Sequence, residues 1–141
     1  MATPHRWALG LLVGSVLTGC SRVQEEAPAT GARERALTYF EALIHNEWPR
    51  AHALLDVQSR QRCSSQQFTR LAKSYRDQLG FEPEAVQVWA CEERGTQATA
   101  HVVLTGHTGD RHRRHKDAVT LRRNDDWGVV LPPNFGQARK R

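Results

Sequence analysis

The chain has 141 residues, 39% of them hydrophobic and 25% charged, with 20 basic against 15 acidic residues and a formal net charge of +5 at pH 7. That length allows one small domain. The mild positive excess falls short of a nucleic-acid signature, so no nucleic-acid partner is expected.

Residues 11–20 read LLVGSVLTGC. The apolar run extends from Trp7 to Leu17 and is interrupted by Gly10, Gly14 and Ser15. It is too short to span a bilayer, which takes about 20 apolar residues. It matches the apolar centre of a secretory signal, about 7–15 residues, and Arg6 beside His5 supplies the positive start. A buried core helix is the other reading, but two glycines and the lack of a polar face speak against it.

Leu17-Thr18-Gly19-Cys20 resembles the lipobox of bacterial lipoproteins. The resemblance implies that residues 1–19 are a signal peptide, that the Cys20 thiol carries a diacylglyceryl group, and that cleavage precedes Cys20, whose new amino group is then acylated. Several acyl chains on Cys20 would hold the protein on a membrane without a spanning helix. Ser21, standing where an aspartate would retain a lipoprotein in the inner membrane, implies the outer membrane facing the periplasm. Removal of residues 1–19 takes away one arginine and no acid, leaving 19 basic against 15 acidic residues. Residues 20–31 then read as the lipidated cysteine and a flexible tether, since SRVQEEAPATG has almost no large apolar side chain. The domain follows over 32–135, with a basic tail over 136–141. In an oxidising compartment Cys63 and Cys91 could pair. The loop of about 29 residues would then contribute roughly 3–4 kcal/mol. Two free buried thiols are the alternative.

Three helices are expected first. ARERALTYFEALIHNEW, from Ala32, places Ala36, Tyr39, Phe40, Leu43 and Ile44 on one stripe, with Thr30 as its cap. Pro49 suits the first turn of a short second helix, PRAHALLD, with Ala51, Leu54 and Leu55 apolar. VQSRQRC reads as a loop. Ser64 and Gln67 have capping-box spacing for a third helix, striped by Phe68, Leu71, Ala72, Tyr75 and Leu79 and stopped by Gly80. The period then changes to two. Strands are expected over 85–93, 97–106, 117–123 and 127–131, the last pair joined at Asn124-Asp125-Asp126. This is an α+β layout, three helices on one face of an antiparallel sheet of about four strands.

ALTYFEALIHNEWPRAHALLD, SSQQFTRLAKSYRDQLG and VTLRRNDDWGVVLP resemble the helices and closing hairpin of the nuclear-transport-factor-two-like superfamily, the SnoaL-like cone fold, over roughly residues 32–133. The resemblance implies a pocket between curved sheet and helices, where enzymes of the superfamily place an Asp, Tyr or His for proton transfer. Tyr39, His52, Asp56, Tyr75, Trp89 and His101 are the candidates to line it. No acid is expected within the apolar stripe of any strand, and tyrosines on helix stripes are more often core residues. No catalytic residue and no cofactor is assigned.

Two surfaces remain. In HTGDRHRRHKD the charges of Arg111, Arg113, Arg114 and Lys116 disfavour a metal among His107, His112 and His115. The stretch reads instead as a basic turn, either a solvated loop or a site for anionic headgroups and envelope polymers. Trp89, His101 and Val103 would share the outer sheet face if Val86, Val88, Val102 and Leu104 face the helices. A half-apolar outer face fits a second copy or a partner protein, but that choice turns Cys91 away from the helices.

The functional expectation is a lipid-anchored envelope lipoprotein with a non-catalytic domain that binds a ligand, a partner or a polymer. The alternative is a small enzyme of isomerase or dehydratase type. An interior filled by Phe40, Leu43, Phe68, Leu71 and Trp127 favours the first. An open pocket holding a buried acid or base favours the second.

Overall fold

A computed structural model describes residues 30–138. The expected signal peptide, Cys20, the tether as far as residue 29 and the end of the tail from 139 lie outside these residues.

The first helix, α1, covers Ala32–Ile44. Its predicted stripe is buried: Ala36, Tyr39, Phe40, Leu43 and Ile44 all pack into the core. The helix stops short of the expected Trp48, because Asn46 adopts φ 59°, a left-handed conformation that asparagine tolerates. Thr30 is not the cap. Gly31 holds that position. The Thr30 hydroxyl instead donates to Glu93 Oε2 at 2.6 Å and accepts from Trp127 Nε1 at 2.9 Å. The indole N–H that enters the core is thereby paired.

Helix α2, Trp48–Ala53, carries Pro49 in its first turn. Leu55 lies beyond it in an isolated parallel bridge to Val129. The stretch expected as a loop contains a further helix, α3, Val57–Arg62. Its cause is Asp56, whose carboxylate accepts the Ser59 N–H at 3.0 Å and caps the first turn. Among the described residues the layout therefore has four helices rather than three. Helix α4, Ser65–Leu79, has the predicted capping box and the predicted left-handed glycine, Gly80, at its end.

The sheet has strands β1 (Glu82–Arg94), β2 (Gln97–Thr108), β3 (Arg111–Arg123) and β4 (Trp127–Val129), antiparallel in the order β1-β2-β3-β4. β3 begins six residues before the predicted start at Asp117. Two residues suffice to turn β2 into β3, because Gly109 takes φ 55° at the first turn position. The basic segment is thus strand, paired residue by residue with β2.

Both sheet edges are occupied. β1 carries Pro83 and two register shifts, and Arg33 Nη2 donates to its Val88 carbonyl at 2.7 Å. Such features stop a long edge from recruiting another strand. At the other edge, Asp56 N–H donates to Val129 O at 2.8 Å and Val129 N–H to Leu54 O at 2.9 Å. Gly128 permits that approach, since a Cβ there would lie 2.5 Å from Asp56 Cα.

One core joins the layers. Val88, Ala98, Ala100, Val102, Leu104, Val119 and Leu121 of the sheet meet Phe40, Leu43 and Phe68 of the helices, with Trp127 closing one end. No helix among the described residues is long and apolar enough to cross a membrane.

Candidate functional site

The interior of the cone is lined by aromatic rings. Tyr39 meets Phe40 edge-on at 5.3 Å between centroids and Phe68 at 6.4 Å. Phe68 also packs on His52 at 5.6 Å. Phe135, from the segment after β4, stacks on Phe68 at 5.8 Å and on Tyr75 at 5.2 Å. The segment is held there by Gly136 O, which accepts from Ser74 Oγ at 2.6 Å and Gln78 Nε2 at 2.9 Å. Residue 136, expected as the start of a tail, is therefore packed on α4.

One acid reaches this interior, against the expectation that none would. Tyr75 donates its hydroxyl to Asp117 Oδ2 at 2.8 Å, and His115 stands edge-on to the Tyr75 ring at 6.5 Å. Counting back by two from the buried Leu121 and Val119 leads to Asp117, which pairs across the ladder with the fully buried Val102. The sequence carried that signal, but it is hidden once the stretch is read as a turn. Burial, and then the charge of Asp117, hold both Tyr39 and Tyr75 above the ordinary phenol range. Both hydroxyls stay protonated through neutral pH.

The predicted pocket residues do not converge. Tyr39, His52 and Tyr75 lie on the helix side. Trp89 and His101 lie on the outer face of the sheet, their rings 5.1 Å apart and Trp89 55% exposed. His52 is engaged in the frame, its Nε2 donating to Cys63 O at 2.8 Å, since a carbonyl can only accept. Asp56 is buried as the cap of α3 and is paired with Arg122 at 2.8 Å.

The basic charges divide between two faces. Arg111 and Arg113 fall on the helix-facing row of β3, while Arg114 and Lys116 fall on the outer row. Strand alternation separates them, so they do not form one anion-binding turn. His107 and His112 pair across the ladder with rings 4.3 Å apart, and His107 Nδ1 is 2.9 Å from Glu84. His115 is on the opposite face from both. Among the described residues no three His, Cys, Asp or Glu side chains gather as a metal site.

Cys63 and Cys91 are free, so the bridge considered above is not formed. Cys91 does turn towards the helices, because the bulge at Trp89 resets the alternation. Cys91 pairs with Ala100 on β2, whereas Cys63 ends α3. Burial raises both thiols above their usual range, although Arg70 opposes this at Cys63. Since the thiolate is the nucleophile, iodoacetamide at pH 8 should alkylate both more slowly than free cysteine, and denaturation should remove the difference. Equal rates in the folded protein would contradict this burial.

Beside the filled interior, α3, α4 and the Pro132–Pro133 segment enclose a cleft of about 380 Å³, lined by Ser59, Arg62, Cys63, Gln67, Arg70 and Leu71 and walled by Leu131 and the two prolines. A second cleft of about 690 Å³ shares Arg62 and the prolines and continues along β3 to Arg122. Neither is lined by Tyr75 or Asp117. Sequence reasoning missed this region. Arg62 and Arg70 stand in separate helices, and only the fold brings a proline wall from the far end of the chain against them.

No family model matches the chain, and no curated protein matches it. Among solved structures, it resembles one described as an NTF2-like transpeptidase from Campylobacter jejuni, with a TM-score of 0.57 and 13% identity over 70% of this chain and 96% of that one. A SEC-C motif-containing protein from Rhodopseudomonas palustris matches with a TM-score of 0.49 and 13% identity, over 65% of this chain and 69% of that one. At such identity the first likeness speaks to fold, and it agrees with the order of helices and the open antiparallel sheet found here. The chain therefore has an NTF2-like fold, a cone of helices closed over a curved four-stranded sheet.

Proposed function

We propose that this protein is a lipid-anchored lipoprotein of the bacterial cell envelope, whose NTF2-like domain binds a ligand or a partner and does no chemistry. The observation that supports the non-catalytic part is the filled interior. Tyr39, Phe40 and Phe68 pack against one another in the core, and Phe135 stacks on both Phe68 and Tyr75. Residues 11–20, LLVGSVLTGC, support the anchor. The outer membrane facing the periplasm is the proposed location. The outer sheet face, where Trp89 is exposed beside His101, is the proposed contact for a second copy or an envelope protein.

The intact mass of the native protein from a membrane fraction tests the anchor. The expected mass begins at Cys20 and carries acyl chains. A water-soluble chain with an unmodified amino terminus would overturn the reading.

A second reading, a small enzyme of isomerase or dehydratase type, draws on one observation. The hydrogen bond between Tyr75 and Asp117 places a carboxylate and a phenol together inside the cone. This reading requires Phe135 to leave, since its ring stacks on Tyr75.

A further inference from the structure

The cleft between α3, α4 and Pro132–Pro133 is rich in donors and poor in acceptors. Gln67 Oε1 already accepts from Ser64 N–H at 2.9 Å, Ser59 Oγ from Leu131 N–H at 2.9 Å, and Cys63 O from His52. The donors remain open. Among the described residues, Arg62 and Arg70 take part in no ion pair. Their guanidinium groups offer five N–H donors each and no acceptor. No acidic residue lines this cleft or its continuation towards Arg122. The opposite wall, Leu131 with Pro132 and Pro133, is apolar. The volume of about 380 Å³ falls within the range of about 300–1,000 Å³ typical of small-molecule sites.

We infer that this cleft binds a small organic anion, its carboxylate or phosphate held by Arg62 and Arg70 and its apolar body lying on the proline wall. A fork of N–H donors suits either oxyanion in a two-point contact. Arg122 does not share the task, because it is committed to Asp56 at 2.8 Å. This inference rests on the binding reading above for its sense but does not depend on the anchor.

Calorimetric titration of the full chain in detergent tests it, with octanoate, octyl phosphate, inorganic phosphate and octanol as probes. At least one of the two octyl anions should bind ten-fold or more tightly than both octanol and inorganic phosphate. Which octyl anion wins tells carboxylate from phosphate. The double variant R62Q/R70Q should lose that binding at least ten-fold with its melting temperature unchanged, since neither arginine supports the fold through an ion pair. Octanol or inorganic phosphate binding as well as the tighter octyl anion, or a folded double variant that binds like the parent, would each overturn the proposal. Should the double variant unfold, R62K and R70K serve instead. They keep the charge and lose the fork, and undiminished binding in both would overturn the two-point contact. A negative titration on protein that carries an acylated Cys20 would leave the anchor standing, so the two failures are distinguishable.

Discussion

Replacing Phe68 with alanine is expected to destabilise the domain by about 3–5 kcal/mol, the usual cost of deleting a buried aromatic ring. Phe68 is fully buried, and it is the ring that Tyr39, His52 and Phe135 share. It comes from α4, Tyr39 from α1 and Phe135 from the segment after β4, so the cavity left behind could not close by moving one element. Denaturant unfolding would read the loss as a lower midpoint at constant slope. The melting temperature should fall by about 12 °C or more. A loss under about 1 kcal/mol would mean that the interior is loosely packed. A loosely packed interior would leave room there for a ligand.

The Asp56→Ala variant is the second large effect, expected at about 2–3 kcal/mol. Two terms combine. The cap of α3 is lost, typically about 1 kcal/mol, and Arg122 loses its carboxylate, keeping only the Gln58 amide oxygen as acceptor. Arg122 is 30% exposed, so water recovers part of its solvation and the second term is below that of a fully buried pair. Asp56→Asn keeps an acceptor for the Ser59 N–H and should recover about 1 kcal/mol relative to alanine. Equal losses in the two variants would show that capping contributes nothing and that the charge pair alone matters. Because Asp56 also joins β4 through its backbone, amide exchange should quicken in α3 first and at Val129 next.

The elements that could be read from the sequence are those whose cause is local. The stripe of α1, Pro49 opening α2, and the Ser64–Gln67 box and Gly80 stop of α4 depend on residues within a turn of one another. Their side-chain and backbone preferences act before any tertiary contact. Helix α3 was missed although its cap is also local. Its six residues carry little apolar pattern, and the ends of so short a helix outweigh its middle. The extension of β3 was missed for the opposite reason. Its residues 111–116 are charged on both faces, so no alternation is visible. The ladder to β2 and the tight turn at Gly109 supply the order instead.

The candidate site divides in the same way. That Tyr39 and Tyr75 belong to helix stripes was legible, because a period of 3.6 places them. That Trp89 points away from Val88, and His101 away from Val102, was also legible, because a period of two does so. Whether those four residues form one pocket was not, since that depends on which face of the sheet the helices cover. Asp117, the acid that does reach Tyr75, comes from a different strand 42 positions away.

By itself, then, the sequence determined the helix-then-sheet order, the α+β class, the starts of α1 and α2 and both ends of α4, because these follow from short-range periodicity and capping. Only the tertiary structure decided that Phe135 closes the interior, that the basic residues of β3 divide between two faces, and that Arg62, Arg70 and the proline wall share a cleft. Those facts need contacts between residues far apart in the chain. Such contacts form when whole apolar faces are buried together, which no single stretch of sequence can specify.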